Sequence, residues 1–270
     1  MPIQSNIIYG MYSGLALLMD VHTSETSNQR GIIFIFISGS GWRRPTTYNA
    51  PPLKEGGQYD IWGQAMVERG YTVFSINHRA VPRFPYPGPF EDAQRAMRFV
   101  RYHAADYGID PEQIGALGGS SGGHLVSSLG TFPSVGDLNN EDPVERESAK
   151  AQCVVARAAP LDLRDQVGHN LFDDGQGTEV SAETKAAASP ALHVTAQTAP
   201  HLLLHGDADP QVPYEQSPMM QEALEKAGVD VELIGVPGGG HGPGFGGAGD
   251  MPSYIDATGK WFDRYLLGKD

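Results

Sequence analysis

The segment Ile114–Leu125 reads Ile-Gly-Ala-Leu-Gly-Gly-Ser-Ser-Gly-Gly-His-Leu and predicts a strand, a sharp turn and a helix in direct succession. A serine at the apex of such a turn lies at the end of a strand and at the N-terminus of a helix. Main-chain N–H groups and the helix dipole favour developing negative charge there. The glycines permit a strained main chain and let strand and helix approach closely.

The pattern Gly-x-Ser-x-Gly fits this segment in two registers, one with Ser120 at the apex and one with Ser121. We favour Ser120, because the apolar run 114–117 leads into Gly118 and the residues from Ser121 onward are typical of the start of a helix. The alternative is a Gly/Ser-rich surface turn without catalytic function, since this short pattern also occurs by chance.

Apolar runs and helical periodicities alternate along the 270 residues and predict a single α/β domain over residues 1–270. Runs at 7–9 and 15–22 predict an antiparallel hairpin at a sheet edge. Further strands are expected at 31–37, 71–76, 114–117, 153–156, 201–205 and 231–236. Helices are expected at 61–68, from 90 onward, at 216–227 and at 254–267. The polar segment 163–194 is interpreted as a small lid-like insertion.

Composition and motifs exclude several classes of function. A net charge of −13 provides no basic surface for nucleic acid. No apolar run approaches the ~20 residues of a membrane span, and no secretory signal is visible. A cytoplasmic location is therefore expected, and secretion is the alternative if the sequence is that of a mature form. Neither nucleotide-binding glycine pattern occurs, and the histidines lack metal-site spacing, so no cofactor or metal is expected. The single cysteine, Cys153, is expected to pack in the core.

A serine nucleophile needs a base and an acid, which in folds with this turn follow the serine in the order acid, then histidine. The strand at 201–205 leads to Asp207 and Asp209, and the strand at 231–236 leads to His241 in a glycine-rich loop. Either aspartate could instead cap its turn, and His241 could be an ordinary loop histidine. Their positions after successive strands favour a Ser-His-Asp triad. His124, in the first turn of the helix, is expected to pack there.

A second turn of small residues follows the strand at 31–37 and reads Ser-Gly-Ser-Gly-Trp, from Ser38 to Trp42. Such a loop can direct main-chain N–H groups at a carbonyl oxygen beside the nucleophile. We expect an oxyanion hole formed by Ser121 with Ser40 or Gly41. An ordinary strand-ending loop is the alternative. Trp42 and Phe245 are candidates for the wall of the substrate pocket.

These motifs resemble α/β-hydrolase-fold serine esterases, near the acetyl xylan and feruloyl esterases and the hormone-sensitive-lipase type. The resemblance covers nearly the whole chain and also includes the segments Tyr107–Ile114, His205–Asp209 with Val212-Pro213, and Gly240–Gly242. It implies the α/β-hydrolase fold, with Ser120 as nucleophile, Asp209 as acid and His241 as base. The family's oxyanion loop is commonly His-Gly-Gly-Gly-Trp. Ser38 and Ser40 replace a histidine and a glycine of that pattern.

The predicted reaction is hydrolysis of short-chain acyl esters through an acyl-enzyme. The segment before the oxyanion loop is too short for the N-terminal cap of many lipase-type relatives, so we expect an open site that suits short acyl esters, including acetyl groups on carbohydrate. The family resemblance adds feruloyl groups on plant carbohydrate as candidates. The alternatives are a small serine peptidase of the same fold and a catalytically silent hydrolase fold used for binding.

Overall fold

The structure, a computed structural model, describes residues 2–36, 41–44, 49, 52–55, 59–165 and 167–269. Eight strands of this part form one sheet in the order β1-β2-β4-β3-β5-β6-β7-β8. Their bounds are β1 Ile3–Tyr12, β2 Leu15–His22, β3 Gly31–Phe36, β4 Thr72–Ile76, β5 Ile114–Gly119, β6 Val154–Arg157, β7 His201–Gly206 and β8 Val231–Val236.

Strands β3 to β8 pair in parallel, whereas β2 pairs antiparallel with both β1 and β4. The carboxyl ends of the six parallel strands therefore meet at one edge, where an α/β sheet carries its site. The register places the last residue of β5, Gly119, beside Phe36 of β3 and Arg157 of β6. Loops leaving these strands start close to one another.

The described residues form six α-helices: α1 Gln64–Glu68, α2 Gly88–Tyr102, α3 Ser121–Thr131, α4 Ala182–Ala187, α5 Gln216–Lys226 and α6 Met251–Leu267. The helices pack on both faces of the sheet, and each face is covered by its own apolar core. On one face of the sheet, Met97 of α2, Val126 of α3 and Leu224 of α5 are fully buried. On the other, Met66 of α1 and Phe262 of α6 are buried.

This architecture confirms the predicted fold class, including the edge hairpin and the mostly parallel sheet. The starts of three helices differ from expectation, and α6 begins at Met251 rather than at 254. Helix α2 begins at Gly88 rather than near residue 90, because Pro89 lies in the first turn, where a missing N–H removes no helical bond. Helix α1 is preceded by a wide turn at Tyr59–Gly63, so the regular helix is shorter than the predicted 61–68.

The segment 163–194 joins β6 to β7 and contains α4 with short helical turns at His169–Phe172 and Pro190–His193. It packs on α3, since the Nε2 of His124 donates a hydrogen bond of 2.8 Å to the carbonyl of Ala188. Burial lowers the pKa of His124 to about 4, so the ring is neutral near pH 7. His124 therefore packs and bonds within the helix layer, as predicted. The lid role of the segment stays a prediction.

Within the described ranges, no helix is both long and apolar enough to cross a membrane. The same part of the chain holds no group of three or more histidine, cysteine or carboxylate side chains suited to a metal ion. Cys153 is buried in the apolar core that also contains Met66 and Phe262, and burial raises the pKa of its thiol. It is thus a core residue rather than a reactive thiol.

Candidate active site

The turn between β5 and α3 holds Ser120 in a strained conformation, with φ 55° and ψ −126°. Positive φ is uncommon for a residue with a side chain, and such strain clusters at functional sites. The serine is the N-cap of α3 and is 8% exposed. Its hydroxyl therefore reaches the carboxyl edge of the sheet while its main chain remains enclosed.

Neighbouring strands fix this turn. The N–H of Ser120 donates to the carbonyl of Arg157 at 2.8 Å, and the carbonyl of Ser120 accepts from the N–H of His124 at 3.1 Å. Gly123 must be small: a Cβ there would lie 2.8 Å from the Cβ of Ala159. The glycine thus lets α3 lie against the end of β6, as the sequence pattern predicts.

The loops after β7 and β8 lie against each other at the same edge. A Cβ on Gly206 would meet the carbonyl oxygen of Gly239 at 2.1 Å, so this approach requires glycine. The N–H of Ala208 donates to the same carbonyl at 3.0 Å. This contact brings the acidic loop and the histidine loop into fixed register.

The side chains of Ser120, His241 and Asp209 form a continuous hydrogen-bonded chain. The Oγ of Ser120 lies 2.8 Å from Nε2 of His241, and Nδ1 of His241 lies 2.7 Å from Oδ2 of Asp209. An ionised carboxylate only accepts, so Nδ1 carries the proton and Nε2 accepts from the serine hydroxyl. This is the protonation pattern in which the imidazole acts as a base toward serine.

The environment of Asp209 keeps its carboxylate charged. Burial acts to raise the pKa of this carboxyl, but hydrogen bonds outweigh it and hold the pKa well below its usual range. The donors are His205, His241 and the main-chain N–H groups of Val212 and Gln211. Oδ1 accepts from Gln211 at 2.8 Å and from Val212 at 3.0 Å, which leaves Oδ2 for the two imidazoles, of which that of His241 is the nearer.

The structure separates the two aspartates that follow β7, of which the family resemblance implied Asp209 as the acid. The side chain of Asp209 is fully buried beside His241, whereas Asp207 is exposed and its Oδ1 accepts from the N–H of Gly238 at 2.7 Å. Asp207 therefore caps the turn after β8. The predicted alternative of a turn-capping aspartate applies to this residue.

The predicted oxyanion hole is described only in part. Ser121 begins α3, where the helix dipole favours an anion. Gly41 has φ 52°, and a Cβ there would lie 2.9 Å from Nδ2 of Asn170, so the position suits glycine. Ser38 and Ser40 lie outside the described residues. The roles of Ser40, Gly41 and Ser121 stay predictions.

Both aromatic residues predicted for the substrate pocket are buried. Trp42 is 2% exposed and packs edge-to-face on His124, with ring centroids 5.2 Å apart. Phe245 is 0% exposed and packs on Trp62 beneath the histidine loop. Direct contact of either ring with a substrate stays a prediction.

Two side chains that touch the triad were not among the sequence-predicted site residues. The Nε2 of His205 lies 3.4 Å from Oδ2 of Asp209 and 3.0 Å from the carbonyl of Val212. Arg157 contacts the histidine loop from the end of β6. The available signals were weak: a histidine that closes an apolar strand, and a lone cation after the run Cys153–Ala156.

The chain is similar to known proteins in both sequence and fold. The family model BD-FAE matches residues 19–224. Esterase LipQ of Mycobacterium tuberculosis is 30% identical over 249 residues, which is 83% of this chain and 53% of that protein. The chain spans about half the length of the first curated relatives it matches.

Two solved structures are similar over almost their whole length. An acetyl ester-xyloside bifunctional hydrolase from Caldicellulosiruptor lactoaceticus superposes with a TM-score of 0.82 at 29% identity, covering 98% of this chain and 96% of that one. Esterase 2 of Thermogutta terrifontis, phosphoramylated by tabun, gives a TM-score of 0.75 at 28% identity, covering 98% of this chain and 94% of that one.

Proposed function

The chain belongs to the BD-FAE family of α/β-hydrolases, and from that premise we propose that it is a serine carboxylesterase acting on short acyl esters. The observation that carries the proposal is the hydrogen-bonded chain from Ser120 Oγ through His241 to Asp209, at 2.8 Å and 2.7 Å. Its geometry is that of an activated nucleophile. The esterases among the similar proteins support an ester as substrate.

In the proposed reaction, Nε2 of His241 takes the hydroxyl proton while Ser120 Oγ attacks the ester carbonyl carbon. The tetrahedral oxyanion accepts hydrogen bonds from the N–H of Ser121 and from the loop at Ser40 and Gly41. His241 then protonates the departing alkoxide, leaving an acyl group on Ser120. Water repeats the sequence, with His241 as base, and releases the carboxylic acid.

The ionised carboxylate of Asp209 stabilises the imidazolium that forms in both halves of the reaction. It holds the Nδ1–H tautomer without taking a proton, since its pKa lies well below the working range. Each oxyanion donor is worth about 10²- to 10³-fold in kcat for enzymes of this kind. The triad and these donors together supply the proposed rate enhancement.

Acetyl groups on carbohydrate are the substrate class that we favour within this proposal. The similar structure from Caldicellulosiruptor lactoaceticus is an acetyl ester-xyloside hydrolase, and it covers nearly the whole chain. The net charge of −13 also favours a neutral ester over a polyanionic partner such as nucleic acid. Small-molecule or carbohydrate esters are therefore the proposed substrates.

The test combines turnover with labelling. Purified protein is assayed on p-nitrophenyl acetate, p-nitrophenyl butyrate, acetylated xylan and a p-nitroanilide, and the site of a fluorophosphonate adduct is mapped by peptide mass spectrometry. We expect ester turnover and an adduct on Ser120, both lost in Ser120→Ala, with kcat reduced by at least ~10⁴-fold.

Ser121→Ala is the matched control, because it keeps the main-chain N–H of that residue and removes only the neighbouring hydroxyl. We expect this variant to retain turnover within about tenfold, a smaller loss than removal of one oxyanion donor. An adduct on Ser121 would contradict the assignment of the nucleophile. Anilide cleavage without ester cleavage would favour the peptidase, and a folded protein with neither activity would favour a binding protein.

A further inference from the structure

Arg157 is the last residue of strand β6, which lies between β5 and β7, and it is 1% exposed. Its neighbours β5 and β7 lead to the serine turn and the acidic loop respectively. A buried charge is unfavourable unless it is paired and hydrogen-bonded. The contacts that compensate this guanidinium therefore indicate what the residue does.

Those contacts join two parts of the triad. Nη1 of Arg157 donates to the carbonyl of His241 at 3.0 Å and to the carbonyl of Gly242 at 2.8 Å. The main-chain carbonyl of Arg157 accepts the N–H of Ser120 at 2.8 Å. One residue thus bonds to the main chain of the nucleophile and to the main chain of the base.

The surroundings keep the guanidinium in place and charged. Its central carbon lies 5.3 Å from the ring centroid of Phe245, which is itself fully buried. Burial lowers the pKa of Arg157 to about 10, and attraction to Asp209 acts in the opposite direction. The group is therefore cationic near pH 7 and is fixed by packing as well as by hydrogen bonds.

The histidine loop requires such a support. His241 follows three glycines, Gly238 to Gly240, and precedes Gly242, so the main chain on both sides has little intrinsic stiffness. Before the histidine, the carbonyl of Gly239 accepts a hydrogen bond from the N–H of Ala208, in the loop that follows β7. Arg157 holds the histidine loop at the histidine itself and at the next residue.

We propose that Arg157 is a positioning residue that holds the imidazole of His241 in line between Ser120 and Asp209, so that its loss lowers kcat rather than raising KM. The inference rests on the proposed triad. Displacement of a reacting group by about 1 Å can reduce the rate ~10²-fold. Among the described residues, the guanidinium contacts main-chain carbonyls and the ring of Phe245 inside the protein, so we expect its loss to change KM little.

Arg101 provides a matched control. It is also buried, at 5% exposure, and its guanidinium donates to main-chain carbonyls of Pro111, Ser148 and Lys150. These carbonyls precede strands β5 and β6, at the sheet edge opposite the triad. Arg101→Met therefore removes the same kind of interaction from the same kind of environment, without touching the site.

The experiment compares Arg157→Met, Arg157→Lys and Arg101→Met with the parent protein. For Arg157→Met we expect kcat on p-nitrophenyl acetate to fall at least ~10²-fold, KM to change less than about threefold, and fluorophosphonate labelling of Ser120 to slow in parallel. Arg157→Lys keeps a cation but lacks the forked donor geometry of the guanidinium, and its kcat should lie between those of Arg157→Met and the parent. Arg101→Met should lower the unfolding midpoint while kcat remains within about twofold of the parent.

Two further measurements separate positioning from folding. Guanidinium ion added below denaturing concentration should restore part of kcat to Arg157→Ala and leave Arg101→Ala unchanged. In proton NMR spectra, the low-field Nδ1–H signal of His241 should weaken or shift in Arg157→Met and persist in Arg101→Met. This signal does not depend on turnover.

The inference would be overturned by a folded Arg157→Met with kcat near the parent value, by a loss confined to KM, or by an equal loss of kcat in Arg101→Met. Absence of guanidinium rescue together with an unchanged His241 signal would also overturn it. If Ser120→Ala retains parental turnover, the proposed triad itself fails. If Ser120→Ala is inactive and Arg157→Met keeps full activity, only the inference about Arg157 fails.

Discussion

Replacement of Asp209 by asparagine should nearly abolish turnover, and the hydrogen bonds around the carboxylate show why. Oδ1 accepts from two main-chain N–H groups, of Gln211 and Val212, whereas Oδ2 faces Nδ1 of His241 at 2.7 Å. An asparagine keeps one acceptor oxygen. Because the two main-chain donors require it, the NH₂ group of the asparagine must face the imidazole.

That orientation reverses the tautomer of His241. An NH₂ group only donates, so Nδ1 must accept and the ring proton moves to Nε2, which then points at the Oγ of Ser120. A base with its proton on that nitrogen cannot take the serine proton. The opposite amide orientation leaves main-chain donors unpaired, each at about 1–3 kcal/mol. We expect kcat to fall about 10⁴-fold for Asp209→Asn, as for the acid of a Ser-His-Asp triad, or roughly 5 kcal/mol in activation free energy.

Asp207→Asn is the matched control, two residues away with the same change of charge. Its side-chain oxygen can still accept from the N–H of Gly238, and the residue is exposed. We expect kcat within about twofold and a loss of stability below about 1 kcal/mol. The assay is steady-state hydrolysis of p-nitrophenyl acetate, with circular dichroism to verify folding. Equal losses in the two variants, or more than a tenth of parental activity in Asp209→Asn, would refute the reasoning.

Three further predictions concern stability and are measured by urea unfolding. Lys54→Met should lower the free energy of unfolding by about 3–5 kcal/mol, because it leaves the carboxylate of Asp20, 2.7 Å from Nζ, buried without its cation; a loss below 1 kcal/mol would contradict this. Gly123→Ala should cost about 1–3 kcal/mol through overpacking on Ala159, 2.8 Å from the added Cβ, and an unchanged midpoint would argue against that close approach. Burial lowers the pKa of His201 to about 4, so the unfolded chain binds more protons between pH 6.5 and 4, and stability should fall as pH falls through that window. His201→Asn should remove on the order of 3 kcal/mol of that dependence. Equal slopes of the free energy of unfolding against pH in the parent and in His201→Asn would refute this.

Local sequence patterns alone predicted the fold class, the serine turn and the candidate loops of the site. Alternating apolar runs and helical periods predict the parallel sheet with its edge hairpin. The spacing of apolar residues within each element indicates whether it is a strand or a helix and which face is buried. The strand, glycine turn and helix around Ser120 are equally local. The chain order of serine, acid and histidine located the candidate loops because parallel strands place their carboxyl ends at one edge.

Tertiary structure decided which side chains meet. Asp207 and Asp209 occupy the same short loop, and only the register between β7 and β8 turns one toward His241 and the other toward Gly238. The partners of Arg157 lie 84 and 85 residues away along the chain. No local pattern encodes such contacts, because they depend on how three loops pack. The sequence and its family resemblance located the candidate chemistry and implied Asp209, and the packing of the strand ends turns that carboxylate toward His241 and brings the buried Arg157 against the histidine loop.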